Sequence, residues 1–187
     1  MKQIKFFPVL FIFGFSLSCS ASGYDYPFQD PSLPIADRVN DLVSRLTLEE
    51  KISQMVSYSA PLERLGISGY RWSGEALHGV VGGEEHKTTV FPQSIGLAST
   101  WNPGLVRKEA IAISDEARAL ANKLENRAFL NFWSPMINMA RDPRWGRTQE
   151  GYGEDPFLVS SISLEFFRGL QGDDEKYFKV LAGPKHF

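Results

Sequence analysis

The chain has 187 residues, 43% of them hydrophobic and 22% charged, which is the composition of a globular protein with one sizeable core. Its net charge of −2 argues against a nucleic-acid-binding surface, and its single cysteine, Cys19, excludes an internal disulfide. Aromatic residues make up 13% of the chain. They suit either core packing or a cleft that binds rings, and composition does not choose between the two.

The first 22 residues have the order of a secretory signal peptide, which is a basic end, an apolar run and then small residues. The apolar run is shorter than the roughly 20 residues that span a bilayer. Cys19 stands at its end, where bacterial lipoproteins carry a lipidated cysteine. A lipid anchor at Cys19 and simple cleavage after Ala21 are both open. Either one predicts an exported protein that is periplasmic, anchored in the outer membrane or secreted.

Two amphipathic segments follow the signal peptide and predict helices. The first covers about residues 35–46, where apolar residues recur at helical spacing. Thr47 and Glu50 form the pattern of a capping box and open the second helix. The apolar face predicted for this second helix consists of Ile52, Met55 and Val56.

Two longer helices are predicted further along the chain, each opened by a typical N-cap residue and a proline. Asn102 and Pro103 open the first of them. Asp155 and Pro156 open the other, and Gly172 is placed to end it. The apolar faces are Val106, Ala110, Ile113, Ala117, Leu120 and Leu124 in the first, and Val159, Ile162, Phe166 and Leu170 in the second.

Three short apolar runs lie between the helices and do not alternate polar with apolar residues. They read GISGYRW, FLNFWSPMIN and YFKVLAGP. Continuous apolar runs are typical of parallel strands buried on both faces. Strands that alternate with helices predict an α/β fold. A barrel of eight strand–helix units takes about 250 residues, so we expect this chain to hold about half of one and to be a fragment.

A polar cluster follows each of the three predicted strands. SGEALHG follows the first, ARDPRWGR the second and PKHF the third. Ligand sites of parallel α/β folds form outside the carboxyl ends of the strands. The three clusters therefore predict one binding site on a single rim.

Two of these clusters carry side chains that suit hydroxyl groups. Glu75 can accept hydrogen bonds from hydroxyls or act in acid–base chemistry, and the alternative is an exposed turn with His78 packed inside. Lys185 and His186 are neighbours on a strand, so they reach one ligand only if the chain bends, which Pro184 permits. The alternative is a packed His186 and an exposed Lys185.

The remaining cluster spaces Arg141, Arg144 and Arg147 three residues apart. Pro143 and Gly146 favour a loop over a helix here. A guanidinium offers a rigid fork of donors that fits vicinal hydroxyls. We expect one arginine to reach the ligand and the others to pair within the loop, and a solvated run of charge is the alternative. The candidate partners are Glu150, Glu154 and Asp155.

The sequence lacks the usual signatures of metal and cofactor sites. His78, His86 and His186 form no pair at zinc-ligand spacing. The chain contains no P-loop, dinucleotide-binding turn or GxSxG motif. We therefore expect neither a metal nor a cofactor.

Five stretches together resemble glycoside hydrolase family 3. In the order of the family they read LTLEEKISQM, EALHGV, TVFPQSIGLASTWNP, RDPRWGRTQEGYGEDP and GPKHF. The resemblance implies an N-terminal (β/α)8 TIM-type barrel, of which residues 23–187 would be the incomplete first part, and a second α/β domain downstream. It also implies exo-acting removal of sugars from β-linked chains with retention of configuration.

The resemblance further implies that Glu75, Arg141, Lys185 and His186 bind the terminal sugar of an oligosaccharide. It places the nucleophile and the acid/base beyond this chain, so the chain alone should bind weakly and not turn over. Glucosidases of the family usually carry aspartate at position 75. The longer glutamate resembles the β-xylosidase branch, which acts in xylan breakdown, because it would crowd a hydroxymethyl group. A β-glucosidase and an inactive carbohydrate-binding fragment are the alternatives.

Overall fold

The computed structural model describes residues 23–82 and 86–186, and these form two units that divide after Thr47. The predicted signal peptide, with Cys19, lies outside the described residues. In the part of the chain that the structure describes, no helix is both long enough and apolar enough to cross a bilayer.

The smaller unit consists of the proline-rich lead-in and helix α1 (Ile35–Arg45). Arg38 Nε donates to the Phe28 carbonyl at 2.9 Å, and the Phe28 N–H donates to Asp41 Oδ2 at 3.2 Å. Arg45 forms an ion pair with Asp41 one turn away, at 2.8 Å. These contacts fold the lead-in back onto α1, which confirms the first predicted helix.

The larger unit contains four α-helices and four short strands among its described residues. The helices are α2 (Leu48–Ser53), α3 (Ser94–Ala98), α4 (Pro103–Leu124) and α5 (Pro156–Gln171). The strands are β1 (Tyr58–Ser59), β2 (Tyr70–Arg71), β3 (Asn131–Phe132) and β4 (Leu181–Ala182).

Helices α4 and α5 begin where the sequence predicts. The Asn102 side chain accepts the Leu105 N–H at 3.0 Å, and the Asp155 side chain accepts the Leu158 N–H at 2.7 Å. Gly172 ends α5 with a φ of 77°, a conformation that favours glycine. Both N-caps and the C-terminal glycine are therefore confirmed.

The main core lies between α4, α5 and the parallel strands. Gly169 of α5 approaches α4 so closely that an added Cβ would lie 2.6 Å from both the Ala110 Cβ and the Arg107 carbonyl oxygen. The predicted inner faces are buried in this core, including Val106, Ala110, Ile113, Ala117, Val159, Ile162, Phe166 and Leu170. Burial of each large aliphatic side chain stabilises the fold by about 1.5–3 kcal/mol.

Helix α2 is shorter than its predicted apolar face requires. It ends at Ser53, and Ile52, Met55 and Val56 are 60–83% exposed instead of facing inward. The Gln54 side chain donates to the Ala60 carbonyl at 3.0 Å, and this contact turns the chain toward β1.

Strand β2 differs from the prediction. It pairs antiparallel with β1, and the run that contains it is not a buried parallel strand. Gly66, with a φ of 67°, reverses the chain, and Leu62 forms an antiparallel bridge with Ile67 across that turn. The run GISGYRW therefore contains the second strand of an antiparallel pair, and β1 is the first.

Three segments beyond this turn run side by side in parallel. Gly74 forms a parallel bridge with Phe132 of β3, and β3 pairs in parallel with β4. Further along, Met136 forms a parallel bridge with Lys185. The α/β fold with parallel strands is confirmed, and the described residues do not close into a barrel.

Candidate functional site

The predicted polar clusters meet at the carboxyl ends of the three parallel segments. Glu75 directly follows the bridge at Gly74, and Lys185 and His186 follow β4. The arginine loop, residues 139–155, leaves the segment that contains β3. Because parallel strands end at the same edge, their clusters form one rim.

The carboxylate of Glu75 is held by the other two segments. Lys185 Nζ forms an ion pair with Glu75 Oε2, and the Ser134 hydroxyl donates to Glu75 Oε1. The Ala76 N–H also donates to Oε1, at 2.9 Å. These donors fix the direction of the carboxylate, whose side chain remains 35% exposed and so accessible to a ligand.

Lys185 is the buried member of this ion pair, with a side chain that is 11% exposed. The backbone N–H of Lys185 donates to the Pro135 carbonyl at 3.0 Å, and the backbone carbonyl of Lys185 accepts the Ile137 N–H at 2.8 Å. A buried ammonium group is tolerated when it is paired, as Lys185 is with Glu75.

His186 is oriented by Asn138. The Asn138 Oδ1 accepts the His186 N–H at 2.9 Å and lies 3.0 Å from the ring Nδ1. An amide oxygen is an acceptor, so Nδ1 donates to it, and the other ring nitrogen, Nε2, faces the arginine loop. That Nε2 lies 3.3 Å from Arg147 Nη1.

Two of the three arginines are paired within the loop. Arg144 contacts Asp142 at 2.6 Å, and Arg147 contacts Glu150 at 2.5 Å. The guanidinium of Arg141 is exposed and forms no hydrogen bond or ion pair with any residue that the structure describes. The predicted pairing of two arginines within the loop is confirmed, and the contact of the third with a ligand stays a prediction.

The acids near the loop have different roles. Glu150 is a bracing partner as predicted, whereas Asp155 caps α5 instead of pairing with an arginine. Glu154 is exposed and has no hydrogen-bond or ion-pair partner within residues 23–82 and 86–186. Asp142 was not predicted, although an aspartate before a proline typically accepts a backbone N–H two residues on, as it does from Arg144 at 2.9 Å.

Sequence reasoning also missed Ser134 and Asn138, which hold Glu75 and His186. Both lie in the run FLNFWSPMIN, which the sequence predicts only as a buried strand. Their signal was the presence of a hydroxyl and an amide in an otherwise apolar segment that ends at a site.

The charges of the arginine loop act together with those that follow β4. The hydrogen bond from Arg147 lowers the pKa of Glu150 against the opposing effect of burial, and the charges of Lys185 and His186 lower it further. The Glu150 hydrogen bond in turn raises the pKa of Arg147. The protonation of Glu150 in the loop therefore depends on the charges that follow β4.

A polar cleft of about 610 Å³ lies beside Glu75. Glu75, His78 and Glu150 line part of it, and Thr88 and Gln93 line another part. A second cavity of about 560 Å³ is lined mostly by apolar side chains of α5 and of the segment after β3. The polar cleft is the part of the candidate site beside Glu75, since it alone of these two carries carboxylates. Arg141, Lys185 and His186 do not line it.

No group of three or more histidine, cysteine, aspartate or glutamate side chains in the described part of the chain is arranged to hold a metal ion. The side chains on the rim are instead hydrogen-bond donors and acceptors of the kind that recognise hydroxyls.

Curated β-xylosidases are among the proteins similar to this chain. Xylan 1,4-beta-xylosidase of Xylanibacter ruminicola is 42% identical over 177 residues, which are 89% of this chain and 20% of that protein. Beta-D-xylosidase 3 of Arabidopsis thaliana is 46% identical over 171 residues, which are 86% of this chain and 22% of that protein. The chain thus spans about a fifth of the length of these relatives.

Solved structures and a family model give the same assignment. A GH3 exo-beta-xylosidase in complex with a xylobiose aziridine probe is 35% identical, with a TM-score of 0.75 over 86% of this chain and 22% of that chain. A beta-glucosidase from Kluyveromyces marxianus is 30% identical, with a TM-score of 0.66 over 80% of this chain and 17% of that chain. The model of the glycosyl hydrolase family 3 N-terminal domain matches residues 38–187. The chain therefore belongs to glycosyl hydrolase family 3, as its five motifs predict.

Proposed function

We propose that the protein to which this chain belongs is an exo-acting, retaining β-glycosidase that releases terminal β-D-xylosyl residues from xylo-oligosaccharides. The observation that carries the proposal is the carboxylate of Glu75, fixed by Lys185 and Ser134 at the carboxyl ends of the three parallel segments. The relatives named as β-xylosidases support the substrate class.

The rim offers both partners that a sugar hydroxyl needs. Glu75 accepts hydrogen bonds, while Lys185 keeps N–H groups that its contact with Glu75 does not use. Arg141 and His186 extend this surface from the neighbouring segments. A ring held on several hydroxyls is positioned for distortion toward the transition state, where such hydrogen bonds strengthen.

We assign Glu75 to substrate binding and not to nucleophilic attack. Its carboxylate already receives an ammonium group, a hydroxyl and a backbone N–H, which reduces its availability to attack a sugar carbon. Retention requires two carboxylates about 5 Å apart, one of them free to attack. We place both outside this chain, and we expect the 187 residues alone to be inactive.

The preference for xylose follows from the length of the Glu75 side chain. A glutamate reaches about one methylene further than an aspartate, into the space that the hydroxymethyl group of glucose would occupy. The alternative is a β-glucosidase, which the similarity to solved beta-glucosidases favours.

The test compares kcat/KM for p-nitrophenyl β-D-xyloside and β-D-glucoside, using the native-length protein and its Glu75→Asp variant. We expect the xyloside to be preferred and the variant to shift the ratio toward the glucoside. A native protein that prefers the glucoside would contradict the xylosidase assignment.

We also propose that the described strands and helices are the first part of a (β/α)8 TIM-type barrel and that residues 1–22 export the protein. An antibody against residues 100–150 would report the mass of the native product. A band far above 21.0 kDa supports a longer glycosidase. A band at that mass would favour the inactive carbohydrate-binding fragment.

A further inference from the structure

Three buried polar atoms, one of them in the arginine loop itself, lie in the core of the larger unit. They are Oε1 of Glu109 on α4, the hydroxyl of Tyr152 and the hydroxyl of Ser94 at the start of α3. None of them forms a hydrogen bond of good geometry with the described residues, although the Ser94 hydroxyl lies close enough to that of Tyr152 to lower the pKa of Tyr152. Tyr152 and Ser94 are fully buried, and Glu109 is 7% exposed. Burial raises the pKa of Tyr152 and the charge of Glu109 raises it further, and Tyr152 lies in the same core cluster as Val106 and Ala110 of α4.

The surroundings of Glu109 are apolar. Val106, Ala110 and Ile113 on the same face of α4 are fully buried, and burial raises the pKa of Glu109 to about 7. Tyr152 is the titratable group of the arginine loop that interacts electrostatically with Glu109. Ser94 of α3 lies beside Tyr152.

The charged groups nearest in sequence and on the packed helix are engaged elsewhere or exposed. Arg107 of α4 forms ion pairs with Glu165 of α5 and with Asp173. Lys108 is exposed. No ion pair of Glu109 is found in the part of the chain that the structure describes, so nothing there offsets a negative charge at this position.

Tyr152 connects this core to the arginine loop. It stands between Gly151 and Gly153, and the Gly153 carbonyl accepts the Ala140 N–H at 2.9 Å. A Cβ on Gly151 would lie 2.9 Å from the Asn138 carbonyl oxygen, so the backbone there is in close contact with the end of the β3 segment. Tyr152 therefore lies between two backbone contacts that join the loop to Ala140 and to Asn138, the residue that orients His186.

We propose that Glu109 is a positioning residue that, in its uncharged form only, keeps the arginine loop in its sugar-binding arrangement through Tyr152. An uncharged carboxyl group is tolerated in an apolar core and can donate its proton to a neighbouring hydroxyl, whereas a carboxylate must gain water or displace its neighbours. The sugar-binding part of this inference rests on the proposed function, and the ordering of the loop does not.

Tyr152 is the group that we expect to move when Glu109 becomes charged. Helix α4 packs against α5 in the main core, with Gly169 in close contact with Ala110. Tyr152 belongs to a loop and is flanked by two glycines. Movement of Tyr152 would carry Glu150 and Arg147 away from the end of β4, which weakens the sugar site.

The experiment compares the native-length protein with its Glu109→Gln variant, which is neutral at every pH, and with Glu125→Gln as a matched control at the exposed end of α4. Hydrogen exchange of arginine-loop peptides is measured about 1.5 pH units below and above the Glu109 pKa and corrected for intrinsic exchange. We expect the loop of the native protein and of the control to exchange about tenfold faster at the higher pH. The loop of Glu109→Gln should keep its protection.

A native loop whose protection does not change, or a Glu109→Gln loop that follows the native one, overturns the proposal. If Glu109→Gln does not fold, Glu109→Met provides an uncharged side chain of similar size, with the same expected result.

A second measurement separates positioning from a purely structural role. We expect the KM for the β-xyloside to rise above about pH 7 in the native protein and not in Glu109→Gln. Exchange that responds without any difference in KM would overturn the sugar-positioning claim. A native protein that hydrolyses no glycoside refutes the proposed function, and the exchange result still decides whether Glu109 orders the loop.

Discussion

On the rim, the carboxylate of Glu75 receives an ammonium group, a hydroxyl and a backbone N–H, whereas Oε1 of Glu109 in the core receives no hydrogen bond from the described residues. The difference follows from topology. Parallel segments bring donors from three parts of the chain to one edge, while the faces of α4 and α5 bring together mostly apolar groups. The donors at the ends of the parallel segments favour the charged form of Glu75. Burial among the helices raises the pKa of Glu109 and so favours its uncharged form.

The largest expected effect comes from breaking the ion pair on the rim. In the native-length protein, Lys185→Met removes the cation of Glu75 and also an N–H donor for the sugar. The carboxylate keeps two donors and is 35% exposed, so the loss is smaller than the roughly 3–5 kcal/mol of a fully buried pair. We expect kcat/KM for the β-xyloside to fall by more than about a hundredfold. Lys176→Met, an exposed lysine between α5 and β4, is the control and should stay within about twofold. Equal activities of the two variants would contradict the role of Lys185.

The next effect concerns the core and the pH dependence of stability. The folded protein keeps a proton on Glu109 that the unfolded chain releases near its ordinary value of 4.5, so stability falls as pH rises from about 4.5 to about 7. The loss is at most about 3–4 kcal/mol, since the pKa rises by about 2.5 units and each unit is worth about 1.4 kcal/mol. In urea unfolding at several pH values, Glu109→Gln should remove this loss. An unchanged slope would show that Glu109 is ionised in the fold.

Removal of single arginines tests which of them serves a ligand. Arg141→Ala should lower kcat/KM by about 10- to 100-fold, because hydrogen bonds to a charged donor contribute about 1.5–3 kcal/mol. Arg144→Ala removes only an exposed pair with Asp142, worth at most about 1 kcal/mol, and should change kcat/KM less than about fivefold. The reverse order of effects would move the ligand contact from Arg141 to Arg144.

The smallest effect separates acids that serve the fold from acids that serve the rim. Asp155→Ala removes the N-cap of α5 and should lower the free energy of unfolding by about 1 kcal/mol without changing kcat/KM. Glu154→Ala, its exposed neighbour, should change neither quantity. A loss of activity in Asp155→Ala, with stability retained, would place Asp155 at the site after all.

Local signals were sufficient to predict the helices and their ends. Asn102 and Asp155 act through atoms three residues away, so the chain within one turn determines their role. Strand β2 was predicted wrongly because its direction depends on a partner that periodicity does not reveal.

The candidate site was predicted in outline because each polar cluster follows a strand. The structure brings Glu75, Lys185 and His186 to one rim, while the role of Arg141 stays a prediction. Ser134 and Asn138 were missed because contacts across nearly 60 and nearly 50 residues leave no local pattern. The burial of Glu109 could have been predicted, since it lies three residues from Val106 on an otherwise apolar helix face.

The hydrogen bond from Ala140 to Gly153 closes the base of the arginine loop. Because both ends meet there, the residues between them form one segment, a cassette, whose exposed positions can vary without displacing β3 or α5. Directed evolution of substrate range can therefore exchange this cassette as a unit. Tyr152, fully buried in the core, is the position that every exchanged cassette has to retain.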